Sequence, residues 1–115
     1  MTLILNHVQR LNLHALLGAQ RGDVATIRAL WALQDKLALS PDEEMAIELK
    51  REFVGGQERV AWNPAVSVPP REIDFTEPEV DRIRAAVETW CRYGVSADRR
   101  WLEPLLQAIA QAQTP

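Results

Sequence analysis

Two helix-start signals, Ser40-Pro41-Asp42-Glu43 and Thr76-Glu77-Pro78-Glu79, constrain this chain more than any other feature of it. In each, a hydroxyl can accept from the backbone N–H three residues on, while a glutamate can reach back to the N–H of the cap. A proline in the first turn costs no hydrogen bond, because that N–H has no partner inside the helix. Helix is thus nucleated at two separated places, and the segment between them must leave one helix and arrive at the next.

The first signal predicts a helix over residues 40–53, with Met45, Ala46, Leu49 and Phe53 on one side and Ile47 off that stripe, beside Lys50 and Arg51. Gly55-Gly56 supplies its stop. Glu58–Asn63 then alternates, with Val60 and Trp62 on one face, and Arg71–Phe75 alternates again, with Ile73 and Phe75 on one face. Two period-two runs around a proline-containing loop predict a β-hairpin over residues 58–75. Two strands alone are marginal in water, so the hairpin must lie on helices or join another sheet.

The second signal opens the cleanest amphipathic helix, with Val80, Ile83, Val87, Trp90 and Cys91 on a narrow stripe and Gly94 as its end. Arg84, Glu88 and Arg92 are spaced to pair on its solvent side. Ser96 is placed to cap a last helix that buries Trp101, Leu102, Leu105, Leu106 and Ile109, with Pro104 bending it or marking its start. Upstream, Asp23 caps a helix over Val24–Leu39 whose apolar arc (Val24, Ile27, Leu30, Trp31, Leu33, Leu37) is wide enough for more than one neighbour. Between Leu3 and Leu17 two stripes overlap, which suggests a break near Asn12. Leu3 and Leu5 alternating with Ile4 also fit an edge strand. The sum is an α+β, mainly α chain of four to five helices with one β-hairpin, in a single globular domain over residues 1–115.

Composition narrows function by exclusion. The net charge of -3 argues against a broad nucleic-acid or anionic-membrane footprint. The single cysteine, Cys91, closes no disulfide within the chain and favours a reducing compartment. The first residues lack a basic stretch, and no apolar run approaches the ~20 residues that span a bilayer. A soluble, cytoplasmic protein is expected.

No catalytic, cofactor or metal constellation can be assembled from these residues, and no enzyme is expected. His7 and His14 share a helical face across two turns but lack an acidic or thiol partner at helical spacing, so they read as surface or cap-proximal residues. Cys91 on the apolar stripe reads as a buried, inert thiol. Asp42, Glu43 and Glu44, and the run Glu72, Asp74, Glu77, Glu79 and Asp81, sit mostly in helix first turns, where the dipole favours carboxylates. Arg82, Arg84, Arg92, Arg99 and Arg100, with Trp90 and Trp101 nearby, read as an ion-paired, solvated face.

One segment is left over. In Asn63-Pro64-Ala65-Val66-Ser67-Val68-Pro69-Pro70 three prolines stiffen the chain around two valines at the expected hairpin tip. A stiff apolar loop loses little entropy on binding, so Pro64, Val66, Val68, Pro69 and Pro70 are the candidate partner-binding residues. Replacing Val66 and Val68 with serine is expected to leave the fold intact and weaken association.

The order of these features resembles a group of short, uncharacterised bacteriophage and prophage proteins. It rests on Leu11–Leu17, the Ile/Leu-rich helix, Ser40-Pro-Asp-Glu-Glu44, Val60-Ala-Trp-Asn63 and Arg71-Glu-Ile-Asp-Phe75, over roughly residues 11–110. The resemblance implies a phage-related origin and carries over no functional residue. The function expected is a non-enzymatic protein–protein interaction or assembly protein, self-associating as a homo-oligomer, that contacts partners through the 58–75 hairpin. A virion component and a small inhibitor of a host factor are both covered by that expectation. The alternative is a winged-helix-like DNA-binding regulator, with residues 40–53 as recognition helix and 58–75 as wing.

Overall fold

The element order is β1 (Thr2–Leu5), α1 (His7–Gly18), α2 (Val24–Leu37), α3 (Pro41–Ala46), β2 (Lys50–Val54), β3 (Gln57–Ala61), β4 (Arg71–Asp74), α4 (Glu77–Thr89) and α5 (Arg99–Gln113). The computed structural model describes residues 1–113, apart from the side chains of Gln57, Glu58 and Gln113. Five helices with two antiparallel two-stranded sheets make this an α+β, mainly α fold. The chain gathers into two compact units, one made of Met1–Ala38 and Pro70–Pro115, the other of Leu39–Pro69.

The first unit holds the hydrophobic core. Leu3 and Leu5 of β1, Leu13, Leu16 and Leu17 of α1, Leu30, Leu33 and Leu37 of α2 and Ile73 of β4 join Val80, Ile83 and Val87 of α4 and Trp101, Leu105 and Ile109 of α5 in one cluster. Leu3, Leu5 and Ile73 show why two strands suffice here. They turn one face of the β1–β4 ladder onto the helices, with Leu3 opposite Ile73 in the register. Asn6 caps α1 in a reciprocal box with Gln9 (2.8 and 2.9 Å), and the helix runs on past Asn12, whose amide donates to the Val8 carbonyl. No break forms there. Gln34 Nε2 donates to the His14 carbonyl across α1 and α2, so close to Gly18 that a Cβ there would come within 2.9 Å of it.

Both helix-start signals hold. Ser40 accepts from Glu43 N–H and Thr76 from Glu79 N–H, and each glutamate reaches back to the cap. The helix opened by the first signal is shorter than expected: α3 stops at Ala46, so residues 40–53 are not one helix. Glu48 takes the left-handed conformation (φ 57°), Leu49 N–H bonds back to the Glu44 carbonyl and Glu48 N–H to that of Met45. That is a complete Schellman stop with glutamate where glycine usually stands.

The 58–75 hairpin is also corrected. Both of its strands exist, but β3 pairs with β2 and β4 pairs with β1. Gly55 (φ 60°) and Gly56 (φ 79°) close β2 on β3 in two residues with the backbone of a type I′ turn. A proline-rich loop cannot compete with that closure.

Other corrections are local. α4 ends at Thr89, with Trp90 as its cap, so Gly94 does not end it and Cys91 is exposed rather than buried. α5 starts after Asp98, whose carboxylate accepts from Gly94 N–H and Trp101 Nε1, and Ser96 does not cap it. Pro104 lies inside α5 and Leu106 is exposed. Trp31 and Val24, expected on the buried arc of α2, are exposed, and His7, next to the Asn6 cap, is cap-proximal but buried rather than on the surface.

Lys36 ties α2 to the start of α4. Its Nζ donates to Glu79 Oε1 (2.7 Å) and to the Asp74 carbonyl (3.2 Å), and lies 5.4 Å from the centre of the Phe75 ring. Burial raises the Glu79 pKa, but hydrogen bonds from Lys36 and Thr76 and the Lys36 charge outweigh it, so the carboxyl is held below its ordinary value. A group depressed in the folded state contributes stability that is present above its unfolded-state pKa and lost as pH falls through the folded one. Glu79→Gln should therefore flatten the acid side of the stability curve below about pH 4. Urea midpoints read across that range should drop more for the wild type than for the variant. Equal drops would place the acid sensitivity on other groups.

Candidate interaction surface

The second unit is built around its hairpin. The Schellman stop turns the chain out of α3 into β2, and the Gly55-Gly56 turn returns it along β3 with Val54 opposite Gln57, Glu52 opposite Arg59 and Lys50 opposite Ala61. The base is tied twice: Asn63 N–H donates to the Ile47 carbonyl (2.9 Å) and Asn63 Nδ2 to Glu48 Oε2 (2.6 Å). Ile47 itself is buried.

Beyond that base the hairpin is open. Every residue of β2 is exposed, although a strand in a folded protein ordinarily turns alternate side chains into a core. Phe53 is 78% exposed, Val54 47% and Val60 40%, and on α3 Met45 is 77% exposed. The register sets Phe53 and Val60 on one face of the hairpin and Val54 on the other, and exposed apolar side chains that share a face with charged ones mark an interaction site. Arg51, on the Phe53 face of β2, is paired with Glu44 at 2.8 Å. Charge is also unevenly shared. The Leu39–Pro69 unit carries three cations (Lys50, Arg51, Arg59) against six carboxylates (Asp42, Glu43, Glu44, Glu48, Glu52, Glu58), which accounts for the whole net charge of -3.

The residues singled out from the sequence lie in the β3–β4 connection, not at a hairpin tip. Asn63 starts a turn there: its Oδ1 accepts from Ala65 N–H (3.0 Å) and its carbonyl from Val66 N–H (3.2 Å). Pro64, Pro69 and Pro70 are exposed, and Val66 and Val68 are half-buried. The exposed apolar side chains are instead Phe53, Val54 and Val60. The signal for them in the sequence is the Gly55-Gly56 dipeptide, which suits a two-residue hairpin turn, between Phe53-Val54 and the alternating run that holds Val60.

The other chemistry-bearing residues stay apart. His7 is buried as the first residue of α1, and His14 is half-buried on the same helix. Among the described residues no three His, Cys, Asp or Glu side chains come together as a metal requires. Arg99 pairs with Glu103 and Arg84 with Asp81 along their own helices. The recognition helix of the DNA-binding alternative is absent as such, because residues 40–53 divide into α3, with three acids in its first turn, and β2. No described helix is long and apolar enough to cross a membrane. No protein-family model, curated protein or solved structure matches this chain.

Proposed function

We propose that this chain is a non-enzymatic interaction protein whose β2–β3 hairpin engages a protein partner with an apolar socket and a basic rim. The observation that carries the reading is Phe53, an aromatic ring left 78% exposed on a strand that has no core beneath it. Aromatic anchors seated in partner pockets supply a large part of interface energy, and charged surroundings supply selectivity and encounter rate. The acidic excess of the same unit argues for a basic rim on the partner. In a phage setting the role is that of an assembly component or of a small inhibitor of a host factor.

The test is a comparison of wild type, Phe53→Ser and a Val66→Ser/Val68→Ser control as bait, followed by titration of the retained protein in purified form. Phe53→Ser should weaken binding by about 30-fold, the size expected for a hot-spot residue. Its own stability should stay within about 0.5 kcal/mol of wild type, because the ring is already in water. Equal affinity of wild type and Phe53→Ser for the purified partner would remove the hairpin from the interface.

A further inference from the structure

β1 leaves one edge of its sheet without a strand. Phe75 N–H donates to the Met1 carbonyl at 2.7 Å, and the register continues Thr2 to Asp74, Leu3 to Ile73, Ile4 to Glu72 and Leu5 to Arg71. Hydrogen-bonded pairs alternate along an antiparallel ladder. Leu3 and Leu5 therefore turn their backbone groups to β4, while Thr2 and Ile4 turn theirs away. Those outward N–H and C=O groups make no backbone hydrogen bond to another described residue. Ile4 is also 58% exposed, in contrast to the buried Leu3 and Leu5.

We propose that this edge pairs with a second copy of the chain, β1 antiparallel to β1, about a two-fold axis at Leu3. Thr2 then meets Ile4 of the second copy, Ile4 meets Thr2 of the second copy, and the two Leu3 residues face each other. Every outward backbone group is satisfied, and two small sheets become one four-stranded sheet in the order β4–β1–β1–β4. Such an isologous contact closes on itself and leaves no free β1 edge.

Charge singles out this occupant. Unpaired edges are ordinarily guarded by charged residues, and like charges directly opposite each other destabilise a strand pair. β2 (Lys-Arg-Glu-Phe-Val), β3 (Gln-Glu-Arg-Val-Ala) and β4 (Arg-Glu-Ile-Asp) each carry such residues, and β1 (Thr-Leu-Ile-Leu) carries none. The corresponding two-fold register would set Glu72 against Asp74 on β4. On β2 it would set Glu52 against itself, and on β3 Arg59 against itself. In that register, of these four strands, β1 alone meets its own copy without repulsion.

The test is the solution mass of the full chain by light scattering over about 10–300 μM, since dimers form by mass action. Wild type should reach twice the 13.0 kDa of one chain. Ile4→Pro removes an outward donor and no bond of the β1–β4 ladder, so it should halve the mass with an unchanged circular-dichroism spectrum. Ile4→Lys places a charge on the same edge and serves where the proline variant fails to fold. Phe53→Ser should keep the dimer, which separates this contact from the hairpin's. A wild type that stays monomeric throughout, or a dimer that survives Ile4→Lys, overturns the proposal.

Discussion

Replacing Arg10 with methionine should lower the stability of the chain by about 3 kcal/mol, a large effect for a substitution that nearly conserves volume. Arg10 is 1% exposed, one of three buried polar or charged residues among those described. Its Nε donates to the Leu37 carbonyl at 3.1 Å and an Nη donates to the Ala38 carbonyl at 2.7 Å. These carbonyls close the end of α2, where the chain leaves helical geometry at Ala38 (φ -58°, ψ 140°) and no further N–H of the helix can reach them. A cation at that end also meets the negative pole of the helix. Methionine fills much the same space and removes these donors, so the buried Leu37 carbonyl and the partly buried Ala38 carbonyl lose them. Each such loss costs about 1–3 kcal/mol. Against that, the desolvated charge is relieved and the Ala38 carbonyl is only partly buried, which is why a value in the lower half of the summed range of about 2–6 kcal/mol is expected. Arg10→Lys should recover little, because an ammonium cannot present the fixed fork that spans two adjacent carbonyls. Urea midpoints at unchanged m-value measure both variants. A methionine variant as stable as wild type would mean that desolvation of the guanidinium offsets all its hydrogen bonds.

Arg10 also marks where reading the sequence reaches its limit. Helix starts are legible because their chemistry is local: Asp23, Ser40 and Thr76 each bond within three residues of themselves. The buried stripe of α4 is legible for the same reason, since Val80, Ile83 and Val87 follow one helical period. Arg10 is buried by a contact 27 residues away, and no local pattern announces that. Strand pairing fails similarly. β4 finds β1 across the length of the chain, where loop closure carries no sequence signature.

The hairpin is a different failure, because its signal is local and is outweighed by another. Met45, Ala46, Leu49 and Phe53 fall on one helical face, and a helix opened by a complete capping box has every reason to run on. Yet Gly55-Gly56, standing between Phe53-Val54 and the run Glu58–Asn63 in which Val60 and Trp62 alternate with polar residues, also fits a two-residue hairpin turn. Ile47, off the helical stripe, is the residue that speaks for the second reading, and it is the one that is buried. The candidate site moves with this pairing. Once β3 takes β2 as its partner, residues 62–70 become a connection rather than a tip, and Phe53 becomes an exposed side chain on a strand rather than one on the stripe of a helix.

The same turn gives a prediction in which two substitutions act in opposite directions. Gly55 and Gly56 both lie in the left-handed region, and a Cβ at either would meet nothing within 4 Å. Any cost of a side chain there is therefore backbone conformation and not collision. For a β-branched residue that cost is about 1–2 kcal/mol per position or more, so Gly55→Val/Gly56→Val should cost about 3 kcal/mol. A two-stranded hairpin whose described side chains are all exposed has no such reserve. The amides of Glu52, Val54 and Arg59 should lose their protection from hydrogen exchange. Those of Ile83 and Val87 should keep it, because among the described residues every member of the hydrophobic cluster belongs to the Met1–Ala38, Pro70–Pro115 unit. Gly55→Asn should do the reverse, since asparagine before glycine suits a type I′ turn and restricts the unfolded chain. Slower exchange in the hairpin with asparagine and faster exchange with the valine pair would confirm that this turn, rather than packing, sets the pairing of β2 and β3. Loss of protection throughout α4 in the valine variant would instead show that the hairpin and the core unfold together.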